Sequence, residues 1–193
     1  MITIYGSRMN RASRCAWMCE ELGLEYKIEA PSDMAAYAAI NPNAKVPAMV
    51  DGETILFESM AINLYLVRKY GEGKLPDAGF DGFGRLAQWT LWCVTELEGP
   101  LVDILIQRRF SKEPNEAVIA AAEKALPRPL AVLEQALTAT PYLAGDEFGA
   151  ADLNVAAVVL VTSLVNFDLS PWPHVKAWYE RCASRPAMKR ARS

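Results

Sequence analysis

A proline at the head of a strand pattern limits this chain more than any other feature. The stretch "KVPAMVDGETILFESMAI", residues 45–62, holds two short apolar runs, Ala48–Val50 and Ile55–Phe57. Asp51-Gly52 between them is a strong hairpin signal. Pro47 stands directly before the first run, where it has no N–H for a ladder bond and restricts the backbone of Val46. Such a proline marks an edge strand, a bulge or a cis bond. The stretch by itself leaves the three open.

The residues on either side set the hairpin in a larger pattern. "ITIY" at 2–5 has strand character. Cys15, Met18, Cys19 and Leu22 recur at helical spacing, and Gly23 stops that helix. "EYKI" is a second strand, and "DMAAYAAI" a short helix ending before Asn41-Pro42. After the hairpin, Ser59 begins a helix that Gly71 closes. The order is a βαβ unit, a weak helix and a ββα unit. Residues 71–84 are rich in Gly, Asp and Pro and predict a linker. Everything beyond it has helical character. One helix is predicted over 84–110 and another over 115–138, kinked or split by Pro127 and Pro129. A core helix starts near Ala151 and an amphipathic one near Val175. The expected organisation is an α/β domain over 1–76, a linker over 77–83 and an all-helical domain over 84–193.

Charge and cysteine usage exclude several functions. A net charge of -3 argues against nucleic acid as the main partner. The stretch from Lys176 to Arg192 is locally basic, and a solvated tail matched to a helix C-terminus is the expected use. Cys15 and Cys19 lie one helical turn apart in an apolar pattern, which predicts buried thiols rather than a redox pair. His174 is the single histidine; it excludes a histidine-rich zinc site and leaves little for a Ser-His-Asp triad. It follows Pro173 at a predicted helix start, where a surface or capping role is expected. No metal site is expected. The longest apolar run, "VAAVVLVTSLV", is too short to span a bilayer. The chain opens directly on "MITIY", so no secretory leader and a cytoplasmic location are expected.

Three blocks in order resemble the cytosolic glutathione transferases. "NPNAKVPAMVDGETILFESMAINLYL" is similar to that family's glutathione-site block, "PYLAGDEFGAADLNVA" to its folding-motif block, and "WPHVKAWYERCASRPAMKRA" to its C-terminal helix. The likeness covers essentially the whole chain. It implies an α/β thioredoxin-like N-terminal domain plus an all-α C-terminal helical-bundle domain, a homodimer, and glutathione as co-substrate with no other cofactor. It also implies that Pro47 is the family's cis-proline. A cis bond there turns the backbone of Val46 outward, so that the cysteinyl residue of glutathione pairs with it as an added strand. Ser59 would then sit at a helix N-terminus facing the γ-glutamyl carboxylate. Glu58 would offer its carboxylate to the ligand's ammonium, and Lys45 would reach the glycine carboxylate. Asp152 matches the family's capping-box acid; its usual Ser or Thr partner is Gly149 here, so Asp152 is expected to be structural.

Enzymes of this family work by favouring the thiolate of glutathione. Lowering a thiol that titrates near 8.5 by about two units needs about 2.7 kcal/mol. One hydrogen bond to a charged group supplies about 1.5–3 kcal/mol, and a helix N-terminus up to about 1–2 kcal/mol. The donor is therefore expected between the first strand and the first helix, in "YGSRMNRASR". The family places Tyr, Ser or Cys there; here the corresponding position is Asn10. Its amide is a neutral donor, and its alternative use is a turn or cap. Ser13 and Ser7 are further candidates, Arg11 can supply charge, and Tyr5 is expected to pack at the strand end. "WTLWCVTELEGPL" resembles the matching helix of the bacterial cysteine-containing class, with Glu96 and Glu98 where that class has Glu and His. The absent cysteine and histidine argue against that class. Trp89 and Trp92, three apart, share a helix face; with Glu96 they are candidates for the second-substrate pocket, and core packing is their other use. Conjugation to an electrophilic small molecule is the leading function. Glutathione-dependent disulfide or peroxide reduction, and a non-catalytic binding or scaffold module, are the alternatives.

Overall fold

The computed structural model describes residues 1–193. The chain divides into two compact units, Met1–Phe80 with Ser184–Ser193, and Asp81–Ala183. The first is built on a four-stranded sheet of order β2-β1-β3-β4, from β1 Ile2–Tyr5, β2 Tyr26–Glu29, β3 Ala48–Asp51 and β4 Thr54–Phe57. β1 and β2 are parallel and so need a crossover, which α1 (Ala12–Leu22) supplies. α1 is buried from Ala12 through Cys19 and again at Leu22. It ends where Gly23 turns left-handed at φ 63 and its N–H reaches back to the last carbonyls. α2 (Met34–Ala38) is capped by Asp33, whose carboxylate accepts from the N–H groups of Ala35 and Ala36.

β3 is not an edge strand. It lies between β1 and β4, antiparallel to both, with Ala48 opposite Tyr5 on one side and Phe57 on the other. Pro47 precedes the ladder by one residue, so its missing N–H takes no bond out of the sheet. The Val46–Pro47 peptide is cis. Gly52 takes φ 61 in the tight turn to β4, as Asp-Gly hairpins require. α3 (Ser59–Tyr70) follows β4 after a single residue.

The second unit is helical: α4 Phe80–Trp92, α5 Gly99–Leu105, α6 Glu116–Ala125, α7 Pro127–Ala136, α8 Ala150–Leu164 and α9 Pro173–Ala183. α4 starts inside the expected linker, taking Gly82 and Gly84 into its first turns. The predicted helix over 84–110 is interrupted by wider π turns at Cys93–Glu98 and Ile106–Phe110. Pro100 explains the first, because a proline inside a helix removes a donor and crowds the carbonyl one turn earlier. Pro127 splits the next helix at its first position, where no N–H is needed. Buried Asp152 ties α8 together. Its carboxylate accepts from the N–H groups of Gly149 and Leu143 and from the indole of Trp178. His174 heads α9, with its N–H and Nδ1 on Glu134. No helix is long and apolar enough to cross a membrane.

The basic side chains of the tail are exposed at Lys176, Arg181, Lys189 and Arg190, as its charge suggested, and Lys189, Arg190 and Arg192 stand in the last turn of the final helix; the apolar face beneath them is what charge did not show. α10 (Pro186–Arg192) returns to the first unit and packs Ala187, Met188 and Ala191 against α1. Arg185 forms two hydrogen bonds to the Glu21 carboxylate at 2.6 and 2.8 Å, and Arg190 reaches Glu20 at 2.6 Å. Partial burial would raise the Glu20 carboxyl, but the hydrogen bonds from Arg190 and Tyr26 outweigh it and hold the group below its ordinary range. A depressed carboxyl stabilises the fold above its unfolded value, about 4.3 for Glu, and that contribution disappears as pH falls through the folded value. Hydrogen-exchange protection in α10, taken relative to the intrinsic rate at each pH, should therefore fall below about pH 4, ahead of α8, whose protection should persist until global unfolding.

Candidate active site

The register of the sheet brings three short segments to one end of the first unit. Tyr5 and Phe57 both lie opposite Ala48. The residues just past Tyr5, just before Ala48 and just past Phe57 therefore converge. They are the 6–11 loop, Val46–Pro47 and Glu58–Ser59.

Gly6 is the close-packed point of this convergence. Its φ is 144, and a β-carbon there would lie 2.6 Å from that of Ala12, 3.0 Å from Asn10 Oδ1 and 3.5 Å from the β-carbon of Val46. Only glycine fits the space and the backbone angle. Val46 is half-buried, and neither its N–H nor its C=O is hydrogen-bonded within the chain. The loop before it is held from behind: the Lys45 carbonyl accepts from the Tyr37 hydroxyl at 2.7 Å and the Asn41 amide at 2.6 Å. Tyr37 in turn packs on Tyr5, with ring centroids 5.5 Å apart. The Lys45 and Glu58 side chains are exposed and unpaired. Glu58 takes φ 70, which turns the chain from β4 into α3. Ser59 is buried, and its hydroxyl accepts from the guanidinium of buried Arg14. The first N–H groups of α3 receive no side-chain cap, so they remain available to an anion.

The 6–11 loop is organised by Asn10. Its Oδ1 accepts from the N–H groups of Ser7 and Ala12, and its Nδ2 donates to Ser7 Oγ at 3.0 Å. One Nδ2 hydrogen remains uncommitted. Ser7 Oγ accepts from Asn10 and from the N–H of Met9 and donates to nothing in the chain, so its own hydrogen is also free. Ser13 differs, because its hydroxyl donates to the Asn10 carbonyl at 2.9 Å. Arg11 is exposed at the mouth of α1.

The chain's own thiols take no part. All four cysteines are free and buried. Burial pushes Cys15 well above the ordinary thiol range and Cys19 up to about 12, so both stay protonated at neutral pH. In the second unit, half-buried Trp89 and Trp92 meet edge to face at 5.1 Å, and Glu96 lies 3.6 Å from Arg128. A separate open groove of about 500 Å³ between α5 and α6, lined by Pro100, Asp103, Val118 and Ala121 among others, holds none of these three.

Sequence patterning missed Gly6, Tyr37, Asn41 and Arg14. Asn41-Pro42-Asn43 carries a turn signature that points to Asn41, but nothing local marks Tyr37, which reaches the Lys45 carbonyl across the loop, or Arg14, whose partner Ser59 lies 45 residues on.

A four-stranded mixed sheet with a cis-proline before its third strand, joined to a helical unit, defines a thioredoxin-like protein with a helical-bundle extension. Residues 1–68 match the family model for the glutathione S-transferase N-terminal domain, and residues 86–186 that for the C-terminal domain. Glutathione S-transferase 3 of Zea mays is 33% identical over 210 residues, spanning 98% of this chain and 92% of the relative. Glutathione S-transferase GstB of Escherichia coli K12 is 31% identical over 204 residues, spanning 98% and 97%. The theta class glutathione S-transferase of Xanthomonas axonopodis pv. citri, solved with glutathione bound, superposes with a TM-score of 0.89 at 31% identity, covering 98% of this chain and 96% of that one. The chain belongs to the glutathione S-transferase family.

Gly6→Ala tests the convergence. It should destabilise the protein by about 2 kcal/mol or more, from positive-φ strain plus the clash with Ala12, measured by urea denaturation.

Proposed function

We propose that this protein is a glutathione transferase: it binds glutathione, stabilises its thiolate and transfers the sulfur to an electrophilic carbon. The observation that carries this is the unpaired N–H and C=O of Val46, set between the starts of two helices. An extended cysteinyl residue satisfies both groups at once and is thereby held without side-chain contacts. The γ-glutamyl carboxylate then falls to the N–H groups of Ser59 and its successors, favoured by the α3 dipole. Glu58 takes the ammonium, and Lys45 takes the glycine carboxylate. This directs the sulfur toward the start of α1. Asn10 Nδ2 and Ser7 Oγ are the uncommitted donors for it, with Arg11 adding positive charge and Ser13 fixing the Asn10 backbone. On binding, the thiol proton leaves to solvent. The thiolate forms the carbon–sulfur bond as the leaving group departs with its electron pair. Trp89 and Trp92 offer an aromatic surface suited to an apolar electrophile, with Glu96 four residues further along the chain. A cytoplasmic homodimer fits the family, and Ile55 and Phe57, 49% and 37% exposed on the edge strand β4, supply an apolar surface for a second copy.

The test is retention on immobilised glutathione followed by turnover of an activated aromatic halide and of a mixed disulfide. Retention with halide turnover is expected. Asn10→Ala should lower kcat about 10–100-fold, the worth of one hydrogen bond to a charged group. Retention without turnover of either acceptor identifies a binding module, and turnover of the disulfide alone identifies a reductase.

A further inference from the structure

We infer that α10 is a positioning element for the sulfur-binding loop, acting through Arg8. The inference rests on the glutathione reading above and names a residue outside it. The 6–11 loop is held mainly by its own short-range bonds, from Ser7 and Asn10, and by the Gly6 N–H on the Glu29 carbonyl. Arg8 is its long-range anchor. Its guanidinium donates to the carbonyls of Arg190 and Ala191 at 2.9 and 3.1 Å, and to the Tyr26 hydroxyl at 3.4 Å. These are the last carbonyls of α10, which have no intrahelical partners and carry the negative end of the dipole.

The anchor is part of a closed ring. Tyr26 donates to Glu20 at 2.9 Å, Glu20 accepts from the Arg190 side chain at 2.6 Å, and the Arg190 carbonyl accepts from Arg8. Glu21 fixes the other end of α10 through Arg185 and is itself held by the indole of Trp17 at 2.9 Å. The helix is thus tied at both ends to α1. Arg8 ties the loop to the helix, one residue from Ser7 and two from Asn10. Loss of Arg8 removes the tie between the loop and α10 and leaves the bond of Gly6 to Glu29 and the short-range bonds of Ser7 and Asn10. A donor aimed at a sulfur must hold its distance and angle closely, because the interaction weakens steeply off geometry. The consequence falls on thiolate stabilisation more than on tripeptide binding, which depends on Val46, Glu58 and Ser59.

The experiment follows the ultraviolet absorbance of bound thiolate against pH in the wild-type protein, Arg8→Ala, Arg8→Lys and Glu20→Gln, with thermal melts alongside. Arg8→Ala should raise the apparent pKa of the bound thiol by about one unit, a tenfold loss of thiolate at fixed pH below it. KM for glutathione should change less than about twofold. Arg8→Lys should recover part of the shift, since an ammonium also donates to carbonyls. Glu20→Gln should move the titration the same way by a smaller amount, and it carries the test if Arg8→Ala does not fold. A merely structural role lowers the melting temperature and leaves the titration unchanged. Wild-type titration in the folded variants overturns the inference alone. Absence of a thiolate signal in the wild type overturns the glutathione reading and the inference with it.

Discussion

Two main-chain groups left unpaired at Val46 are the constraint around which this protein is arranged. Buried or half-buried backbone N–H and C=O groups normally find partners. Here the sheet ends one residue too soon to supply them: β3 begins at Ala48, and its neighbours have by then turned into the 6–11 loop and into α3. The Lys45 carbonyl just upstream is doubly bonded, by Tyr37 and Asn41. The gap is therefore bounded on both sides by well-satisfied backbone. In the proposed reading, a short peptide laid along Val46 completes the hydrogen bonding that the fold omits.

The surroundings of that gap divide the work by charge and by donor. α3 presents uncapped N–H groups with Glu58 beside them, a pairing matched to an amino acid's carboxylate and ammonium. The start of α1 presents a loop in which Asn10, a neutral donor, both caps the turn and keeps one hydrogen free. All four thiols are buried, and burial holds those of Cys15 and Cys19 protonated, so neither of these two supplies a reactive sulfur. Gly6 makes the geometry possible by letting loop, helix and Val46 meet without a side chain between them.

Much of this was legible in the sequence where the signal is local. The Asp51-Gly52 turn, the Gly23 stop and the proline before a strand each mark their structure through backbone sterics, and each element lies within a few residues of its expected span. The interior position of β3 was not legible, because a proline one residue outside a ladder looks the same as one on an edge. The π turn before Pro100 was hidden by a helical pattern that continues on both sides of it. The docking of α10 was invisible for a different reason. Arg185 and Arg190 find Glu21 and Glu20 across more than 160 residues, and no periodicity records a contact of that kind. At the site, Asn10, Val46 and Ser59 stood out by position. The commitment of the Ser13 hydroxyl to Asn10, and the free hydrogen on Ser7, depend on atomic geometry alone.

Docking of a tripeptide on the backbone of Val46 is open to direct observation in a crystal structure of the protein soaked with glutathione. The cysteinyl N–H and C=O are expected at hydrogen-bond distance, about 2.7–3.2 Å, from the C=O and N–H of Val46, with the sulfur toward the start of α1. Glutathione seated elsewhere, with both Val46 groups still unpaired, would contradict it.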